Sequence, residues 1–320
     1  MQGRDIVKDS QVCVGIDVAK AFLDVHLLPA EKAVRYPNSR TGIVTMVRML
    51  KRQRPTLVVL EATGRLEIAA AGALGAAGMP VAIVNPRHVR EYAKATGQLA
   101  KTDALDARVI ATYGRDLHPE PRPIPDKDRL ALQGLLARRR QLVEMLTAEK
   151  NRLDRAHPAT RRDLREHIAW LHERLKKVDR ELHELIKASE AWRQRDALLQ
   201  GVPGIGPIAS RTLLIDLPEL GTISHKAISK LVGVAPLNRD SGTLRGSRSI
   251  WGGRPHVRCA LYMASLAAIR CNPAIRDHYR KLRDAGKKPK VAQTACMRKL
   301  LVILNAIAQT GAQWEAPHAT

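Results

Sequence analysis

Two aspartates three residues apart, in the segment Lys101–Arg108 (KTDALDAR), are the first candidates for chemistry. On a helix, Asp103 and Asp106 project from one face, one turn apart. Two carboxylates that close repel each other unless a cation lies between them. The alternative is structural: Thr102 or Asp103 caps a helix, and Asp106 is a solvated first-turn acid that suits the helix dipole. For this pair alone, the structural interpretation is favoured.

Two further acids lie upstream in apolar runs that are typical of buried strands. Asp17 lies near the end of Val12–Val18, and Glu61 ends Pro55–Glu61. Alone, Asp17 is better explained as a turn residue and Glu61 as a helix cap. Four carboxylates that converge on one point, however, require metal. Their hard oxygen ligands suit two Mg²⁺ ions that clamp a phosphate during in-line displacement.

The elements that must position these acids follow a definite order. Strands are predicted at Val12–Val18, Phe22–Leu28, Ala33–Tyr36, Pro55–Glu61 and Pro80–Val84, and helices after Thr41 (the expected N-cap) and at Leu66–Ala77, Pro86–Thr96 and Lys101–Tyr113. An antiparallel meander followed by parallel strands with crossover helices is the order of an α/β ribonuclease-H-like domain, here residues 1–118. In such a sheet Asp17 lies beside Glu61, and a closing helix brings Asp103 and Asp106 over them.

The charge balance indicates a polyanionic partner. The 320 residues include 54 Lys and Arg against 31 Asp and Glu, a formal net charge of +23. Nucleic acid is the simplest partner, and a membrane surface is the weaker alternative. We see no apolar run long enough to span a bilayer, and the N-terminus (MQGRDIVKDS) is too polar for a signal peptide. Aromatic residues make up only 3%, which argues against base stacking as the main binding mode.

The cysteines do not predict a metal or disulfide framework. They show no CxxC spacing, and their positions are Cys13, Cys259, Cys271 and Cys296. Cys13 lies in an apolar, strand-like run. We therefore interpret all four as reduced core residues of an intracellular protein.

The middle of the chain, residues 119–190, begins with a proline-rich connector, Pro119–Pro125 (PEPRPIP), which marks a domain boundary. Two helices follow, with the first striped by leucines. The second carries apolar residues at alternating spacings of three and four, namely Ile168, Leu171, Leu175, Val178, Leu182 and Leu185. This heptad pattern predicts either a coiled coil that pairs protomers or a helical hairpin that packs on itself.

The last region, residues 191–320, reads as mostly helical. Leu198–Ile208 (LLQGVPGIGPI) places Gly204 and Gly206 in a turn between two helices. The pattern resembles a helix-hairpin-helix, whose backbone N–H groups and following helix dipole bind phosphate without reading sequence. An ordinary turn would show the same pattern.

A basic, glycine-rich segment follows and contains Ser241. The surrounding arginines are Arg239, Arg245, Arg248, Arg254 and Arg258. A serine hydroxyl is a poor nucleophile unless a base or cation activates it, and arginines would stabilise charge on an attacked phosphate. His256 is a conceivable proton acceptor. A basic loop in which Ser241 only starts a turn fits the spacing equally well.

Taken together, these motifs resemble the insertion-sequence transposases of the IS110 family, which are RuvC-like DEDD recombinases guided by a bridge RNA. The matching residues are Gly15–Asp17 (GID), Leu60–Gly64 (LEATG), Asn85–Pro86, Lys101–Ala107 (KTDALDA), Pro203–Pro207 (PGIGP) and Ala235–Gly253 with its SG at Ser241–Gly242. The resemblance covers essentially the whole chain. The acid set together with the distant SG block is specific, whereas either half alone would be weaker.

The resemblance implies a mechanism. Asp17, Glu61, Asp103 and Asp106 would be the DEDD metal-binding set, and Ser241 the nucleophile that attaches to DNA during strand exchange through a four-way junction. Family members work as RNA-bound oligomers, dimers or tetramers, in which the acids and serine of one composite site come from different subunits. The RNA would pair with target and donor DNA, so that the protein reads backbone shape. The expected location is the cytoplasm of a prokaryotic cell, in association with the nucleoid.

Three other functions compete with this one. A metal-dependent Holliday-junction resolvase or other nuclease would use only the acids, and would leave the SG block and coiled coil without a role. A sugar-kinase or actin-like ATPase also carries an acid and a lysine in its first hairpin, as Asp17 and Lys20 do, but its second glycine-rich phosphate loop is missing from the sequence. The third alternative is a non-catalytic architectural nucleic-acid binder. Loss of activity in Asp17→Ala with nucleic-acid binding retained would exclude it.

Overall fold

The computed structural model describes residues 11–98, 103–121, 126–238, 240–241, 244–246 and 248–316. Within these ranges, the side chains of residues 103–105, Asp240, Leu244 and Arg245 are not described. The chain divides into two compact units, Met1–Asp126 and Lys127–Thr320.

The first unit is built on a mixed sheet. Its strands are β1 (Cys13–Val18), β2 (Phe22–Leu28), β3 (Lys32–Pro37), β4 (Leu57–Glu61) and β5 (Val81–Val84). The first three form an antiparallel meander, and β4 and β5 extend the sheet in parallel on the other side of β1, in the order β3-β2-β1-β4-β5. Each observed strand agrees with its predicted bounds to within two residues.

Four helices of the first unit are described: α1 (Arg40–Gln53), α2 (Ile68–Ala76), α3 (Pro86–Ala95) and α4 (Asp103–Leu117). The prediction of Thr41 as the N-cap of α1 was wrong by two residues. Ser39 rather than Thr41 is extended, and its hydroxyl accepts the N–H of Gly42 at 3.2 Å. The prediction that α3 begins with Pro86 in its first turn is confirmed. The side chain of Asn85 caps the helix by accepting the N–H of Arg87 at 2.9 Å.

The two faces of the sheet bury separate cores. Val14 and Val58 pack with residues of α1 and α2 on one face. Cys13 and Val59 pack with residues of α3 and α4 on the other. Because successive strand residues point to opposite faces, odd-numbered positions of β1 and β4 face α4. This alternation decides the direction of the strand-end acids.

The second unit is mostly helical, as predicted. Its described helices are α5 (Lys127–Asp154), α6 (Arg161–Ala188), α7 (Glu190–Gln200), α8 (Pro207–Asp216), α9 (His225–Val232), α10 (Pro255–Cys271), α11 (Pro273–Asp284) and α12 (Pro289–Thr310). The first two form an antiparallel hairpin around a 3₁₀ turn, Pro158–Thr160. An ion pair of 2.7 Å between Arg139 Nε and Asp179 Oδ1 joins them.

The apolar stripe of α6 differs from the predicted one at its end. Leu171, Val178 and Leu182 are buried against α5, as expected. Leu185 is instead 38% exposed, and Ile186 is buried at 3%. The last step of the buried stripe, from Leu182 to Ile186, is therefore four residues long and not three. This end of α6 follows the 3.6-residue period of a straight helix.

Helix α12 meets the length and composition of a membrane span, contrary to the expectation from sequence. Half of its most apolar window is buried inside the structure. Leu300, Leu301 and Leu304 are fully buried in the core of the second unit. Its hydropathy is thus explained by its position as a core helix.

Candidate active site

Two acids occupy neighbouring strand ends in the first unit. The parallel register pairs Ile16 of β1 with Leu60 of β4, so the next step places Asp17 beside Glu61. Both side chains are partly exposed. Both belong to the odd-numbered set that faces α4. The sequence-predicted pair therefore meets at one edge of the sheet.

Helix α4 crosses the same face in the opposite direction to β1. A Cβ added at Gly15 would lie 2.2 Å from both Ala107 O and Ala111 N. Further along the helix, a Cβ at Gly114 would lie 2.8 Å from Cys13 Sγ. The beginning of α4 therefore lies over the carboxyl ends of β1 and β4. Asp103 is its first residue and the partly exposed Asp106 lies in its first turn.

The start of α4 is tied to the β2–β3 turn by Glu31. This carboxylate lies 3.0 Å from His26 Nε2 and 3.2 Å from Arg108 Nε. Desolvation acts to raise the pKa of Glu31, but the hydrogen bond to His26 and the charge of Arg108 outweigh it, so that the pKa is lowered. The tether is therefore ionic at neutral pH.

A carboxylate that the sequence analysis did not select lies next to Asp17. In the antiparallel register Asp24 of β2 is the direct partner of Asp17. Its side chain is buried and accepts two hydrogen bonds from Arg35. The alternation in β2 places Asp24 on the face opposite Leu23 and Val25, so the spacing gave no signal that this face would be covered by α4.

The donor chemistry of this edge fits magnesium. Carboxylate oxygens are the protein ligands that Mg²⁺ prefers. Among the side chains that the structure describes, no three His, Cys, Asp or Glu residues are grouped closely enough to hold a metal ion. The side chain of Asp103, one of the four predicted ligands, lies outside this described set. The three predicted ligands whose side chains are described, Asp17, Glu61 and Asp106, are therefore not gathered into a three-ligand group.

Ser241 is located in the second unit, in an irregular loop. It belongs to the two-residue strand β6 (Asp240–Ser241), which pairs with β7 (Leu244–Arg245), and it is exposed. A bridge between Leu237 and Ser249 closes the base of the loop. The serine is thus presented to solvent on a short hairpin.

The predicted arginines have different surroundings. Arg254 donates to both carboxylate oxygens of Glu219 at 2.6 Å and to Asp216 O at 2.8 Å. Arg258 donates to Gly252 O at 2.5 Å. Both therefore support the loop base, whereas Arg248 is exposed. Arg239, and the side chain of Arg245, lie outside the described residues.

The two glycines of the predicted phosphate turn also differ. Gly204 has φ +98°, and a Cβ there would lie 2.6 Å from Ala268 in α10. Packing against α10 accounts for this glycine. Gly206 precedes α8 in an extended conformation and is exposed, with nothing within 4 Å of a Cβ. The open position at the amino end of α8 is therefore Gly206.

Comparison with known proteins identifies relatives along nearly the whole chain. A model for the DEDD transposases of IS110 matches residues 14–157, and one for the transposase IS116/IS110/IS902 family matches residues 196–280. The pilin gene-inverting protein of Moraxella lacunata is 27% identical over 308 residues, covering 93% of this chain and 96% of that protein. An uncharacterized 43.6 kDa protein of insertion element IS110 from Streptomyces coelicolor is 25% identical, with coverage of 97% and 96%.

Proposed function

This chain belongs to the IS110 family of insertion-sequence transposases and is a DNA transposase or recombinase; we propose that it moves an insertion sequence by RNA-guided, Mg²⁺-dependent strand exchange. In this proposal Ser241 forms a covalent intermediate with DNA, and exchange passes through a four-way junction. The similarity to a protein named for pilin gene inversion supports recombination as the overall outcome.

The observation that carries the proposal is the meeting of Asp17 and Glu61 beneath the start of α4. A meander extended by two parallel strands supports a ribonuclease-H-like sheet. Asp17, Glu61, Asp103 and Asp106 would hold Mg²⁺. When bound, the ion supplies charge stabilisation at a phosphate under attack. The close contact of α4 with Gly15, which places the start of the helix over the ends of β1 and β4, supports this assignment.

Ser241 would act on the DNA backbone itself. Its Oγ attacks a phosphorus atom, the Oγ–P bond forms, and one P–O ester bond of the strand breaks. The released sugar oxygen takes up a proton, and the serine hydroxyl gives one up. Attack by the hydroxyl of a new strand end reverses these changes and frees the serine. Each step exchanges one phosphate ester bond for another, so the free energy of the broken strand bond is conserved in the bond between Ser241 and DNA. Rejoining of the strands therefore needs no further energy source.

Charge and architecture support the proposed partners. A net charge of +23 suits the simultaneous binding of DNA and a bridge RNA encoded by the element. Base pairing would then select the sequence, while the protein recognises backbone shape. The exposed Leu185 lines a shallow groove on α5 and α6 together with Leu135 and charged side chains, and this supports pairing of protomers through a coiled coil. The bacterial relatives support a cytoplasmic location.

A strand-exchange assay tests the proposal. Donor DNA, target DNA, Mg²⁺ and RNA transcribed from the element's flanks are incubated with wild type, Asp17→Asn or Glu61→Gln. We expect each substitution to reduce recombination by at least about a hundredfold with DNA binding retained. Glu91→Gln is the matched control, because Glu91 lies on α3 in an exposed ion pair with Lys94.

The other arms separate the parts of the proposal. Omission of RNA or Mg²⁺ is expected to abolish exchange. Exchange that persists without RNA would remove the guided mechanism, and full activity of Asp17→Asn would remove the acid site. Binding without any strand cleavage, under every condition, would indicate an architectural protein.

A further inference from the structure

A second carboxylate lies directly across the sheet from Asp17. The antiparallel register pairs Asp17 of β1 with Asp24 of β2. Directly opposed residues project from the same face, so both carboxylates belong to the face covered by α4. Asp24 is only 8% exposed. Like charges placed in this way repel each other, so the pair needs compensation.

Arg35 of β3 supplies that compensation. It is the register partner of Asp24 on the other side. Its Nε donates to Asp24 Oδ1 at 2.7 Å and its Nη2 to Oδ2 at 2.9 Å. This two-point contact fixes the plane of the carboxylate and engages both oxygens. The guanidinium also lies 5.2 Å from the centre of the Phe22 ring, which holds it in place.

One row across the sheet therefore contains Arg35, Asp24, Asp17 and Glu61. We propose that Asp24 and Arg35 are positioning residues of the acid site: Arg35 neutralises Asp24 and keeps it out of the ligand set, so that a divalent ion is drawn to Asp17 and Glu61. This inference rests on the proposed function, because it assigns the pair to the same metal site.

The two members of the pair have opposite effects on the field at Asp17. Replacement of Arg35 by Gln exposes the negative charge of Asp24 to the site, which strengthens attraction for a divalent cation while adding a misplaced ligand. Replacement of Asp24 by Asn leaves the positive charge of Arg35, which lies two strands from Asp17, no longer balanced by the Asp24 carboxylate, and this weakens that attraction. A pair with only a structural role would lower stability in both variants without moving metal affinity in opposite directions.

The test measures the affinity of the full chain for Mn²⁺. Electron paramagnetic resonance detects the free ion, and the loss of its signal gives the bound fraction. We expect Asp24→Asn to weaken Mn²⁺ binding by about tenfold. Arg35→Gln is expected to tighten binding and to reduce strand exchange. The double variant, in which both charges are gone, is expected to bind as wild type does. Glu91→Gln again serves as a charge-matched control on α3, and circular dichroism checks folding.

The outcomes distinguish this inference from the proposed function. If Arg35→Gln does not fold, Arg35→Lys replaces it in the test. This variant keeps the positive charge but loses the two-point contact with Asp24. It is expected to reduce strand exchange while the affinity for Mn²⁺ stays unchanged. The inference is overturned if Asp24→Asn and Arg35→Gln shift the Mn²⁺ affinity in the same direction or do not shift it. In that case, a loss of Mn²⁺ binding in Asp17→Ala would still support the metal site. A wild type that binds no Mn²⁺, or binding unaffected by Asp17→Ala, overturns the metal site itself and the inference with it.

Discussion

Burial divides the four cysteines into two chemical classes. Cys13 and Cys296 are buried, and desolvation raises the pKa of each thiol to about 11. Cys259 and Cys271 are exposed, so the expectation of four core thiols was wrong for these two. Both lie on α10, where a thiol is equally compatible with either face of the helix and the sequence gives no further signal.

We predict that a thiol reagent such as dithionitrobenzoate modifies Cys259 and Cys271 rapidly in the native chain. Cys13 and Cys296 are expected to react only after denaturation, because they are buried and their thiolate fraction at neutral pH is small. Thiol release is measured by absorbance. The variant with Ser at both exposed positions is the control, and a rapid phase that survives in it would contradict the assignment.

The Glu31 tether predicts a dependence of stability on pH. Since the folded-state pKa of Glu31 is lowered from the usual 4.5, its contribution is present above that value and is lost as the pH falls through the folded pKa. Glu31→Gln is therefore expected to lower the melting temperature at about pH 7 and to have little effect at a pH below the folded pKa of Glu31. An equal difference at both values would show that Glu31 acts through packing instead.

At the scale of elements, the sheet was predictable and the details of the helices were less so. Short apolar runs fix β1, β4 and β5, because a strand covered on both faces is apolar along nearly its whole length, whereas β2 was recognised by its alternation. The first cap was misplaced since Ser39 and Thr41 are equally good cap residues, and backbone conformation decides between them. Leu185 and Ile186 are equally apolar neighbours, so only the packing of the hairpin determines which one is buried.

The crossing of α4 over β1 requires a residue without a side chain. We predict that Gly15→Ala displaces α4 and costs about 1–3 kcal/mol of unfolding free energy, because its Cβ would overlap backbone atoms at 2.2 Å. Urea unfolding measures the change. Gly72→Ala is the control: this helical glycine has open space around it, so alanine is expected to stabilise by about 0.5–1 kcal/mol. Gly15→Ala as stable as wild type would refute the close approach.

The hairpin offers a pair of leucines for a separate test. Leu171 is fully buried, and Leu171→Ala is expected to cost about 2–5 kcal/mol. Leu185 is 38% exposed, so Leu185→Ala is expected to leave the stability of the hairpin nearly unchanged. If protomers pair through this surface, the second variant shifts the mass measured by light scattering toward the monomer. A large loss of stability in Leu185→Ala would contradict the observed stripe.

At the scale of the whole molecule, the family and the class of enzyme were predictable from sequence motifs, whereas the contacts that support the candidate site were not. The four acids were selected by their positions, two at predicted strand ends and two on one face of a predicted helix, whereas Ser241 was assigned by the family resemblance because its surroundings fit an ordinary turn equally well. Asp24 was missed, since an acid within an alternating strand has no distinguishing spacing. Arg254 was expected to contact nucleic acid, but its two hydrogen bonds to Glu219 show that it also anchors the loop base. Such pairings between distant segments are set by the fold.

The covalent link between Ser241 and DNA is the central claim, and a denaturing gel tests it most directly. The chain is incubated with Mg²⁺, RNA and labelled donor and target DNA, and compared with Ser241→Ala. Ser249→Ala is the control, because Ser249 is another exposed serine of the same loop. We predict a DNA-linked protein band in wild type and Ser249→Ala that is absent from Ser241→Ala. Free cut ends without an adduct, unaffected by Ser241→Ala, would show a nuclease that uses only the acids and would contradict this account.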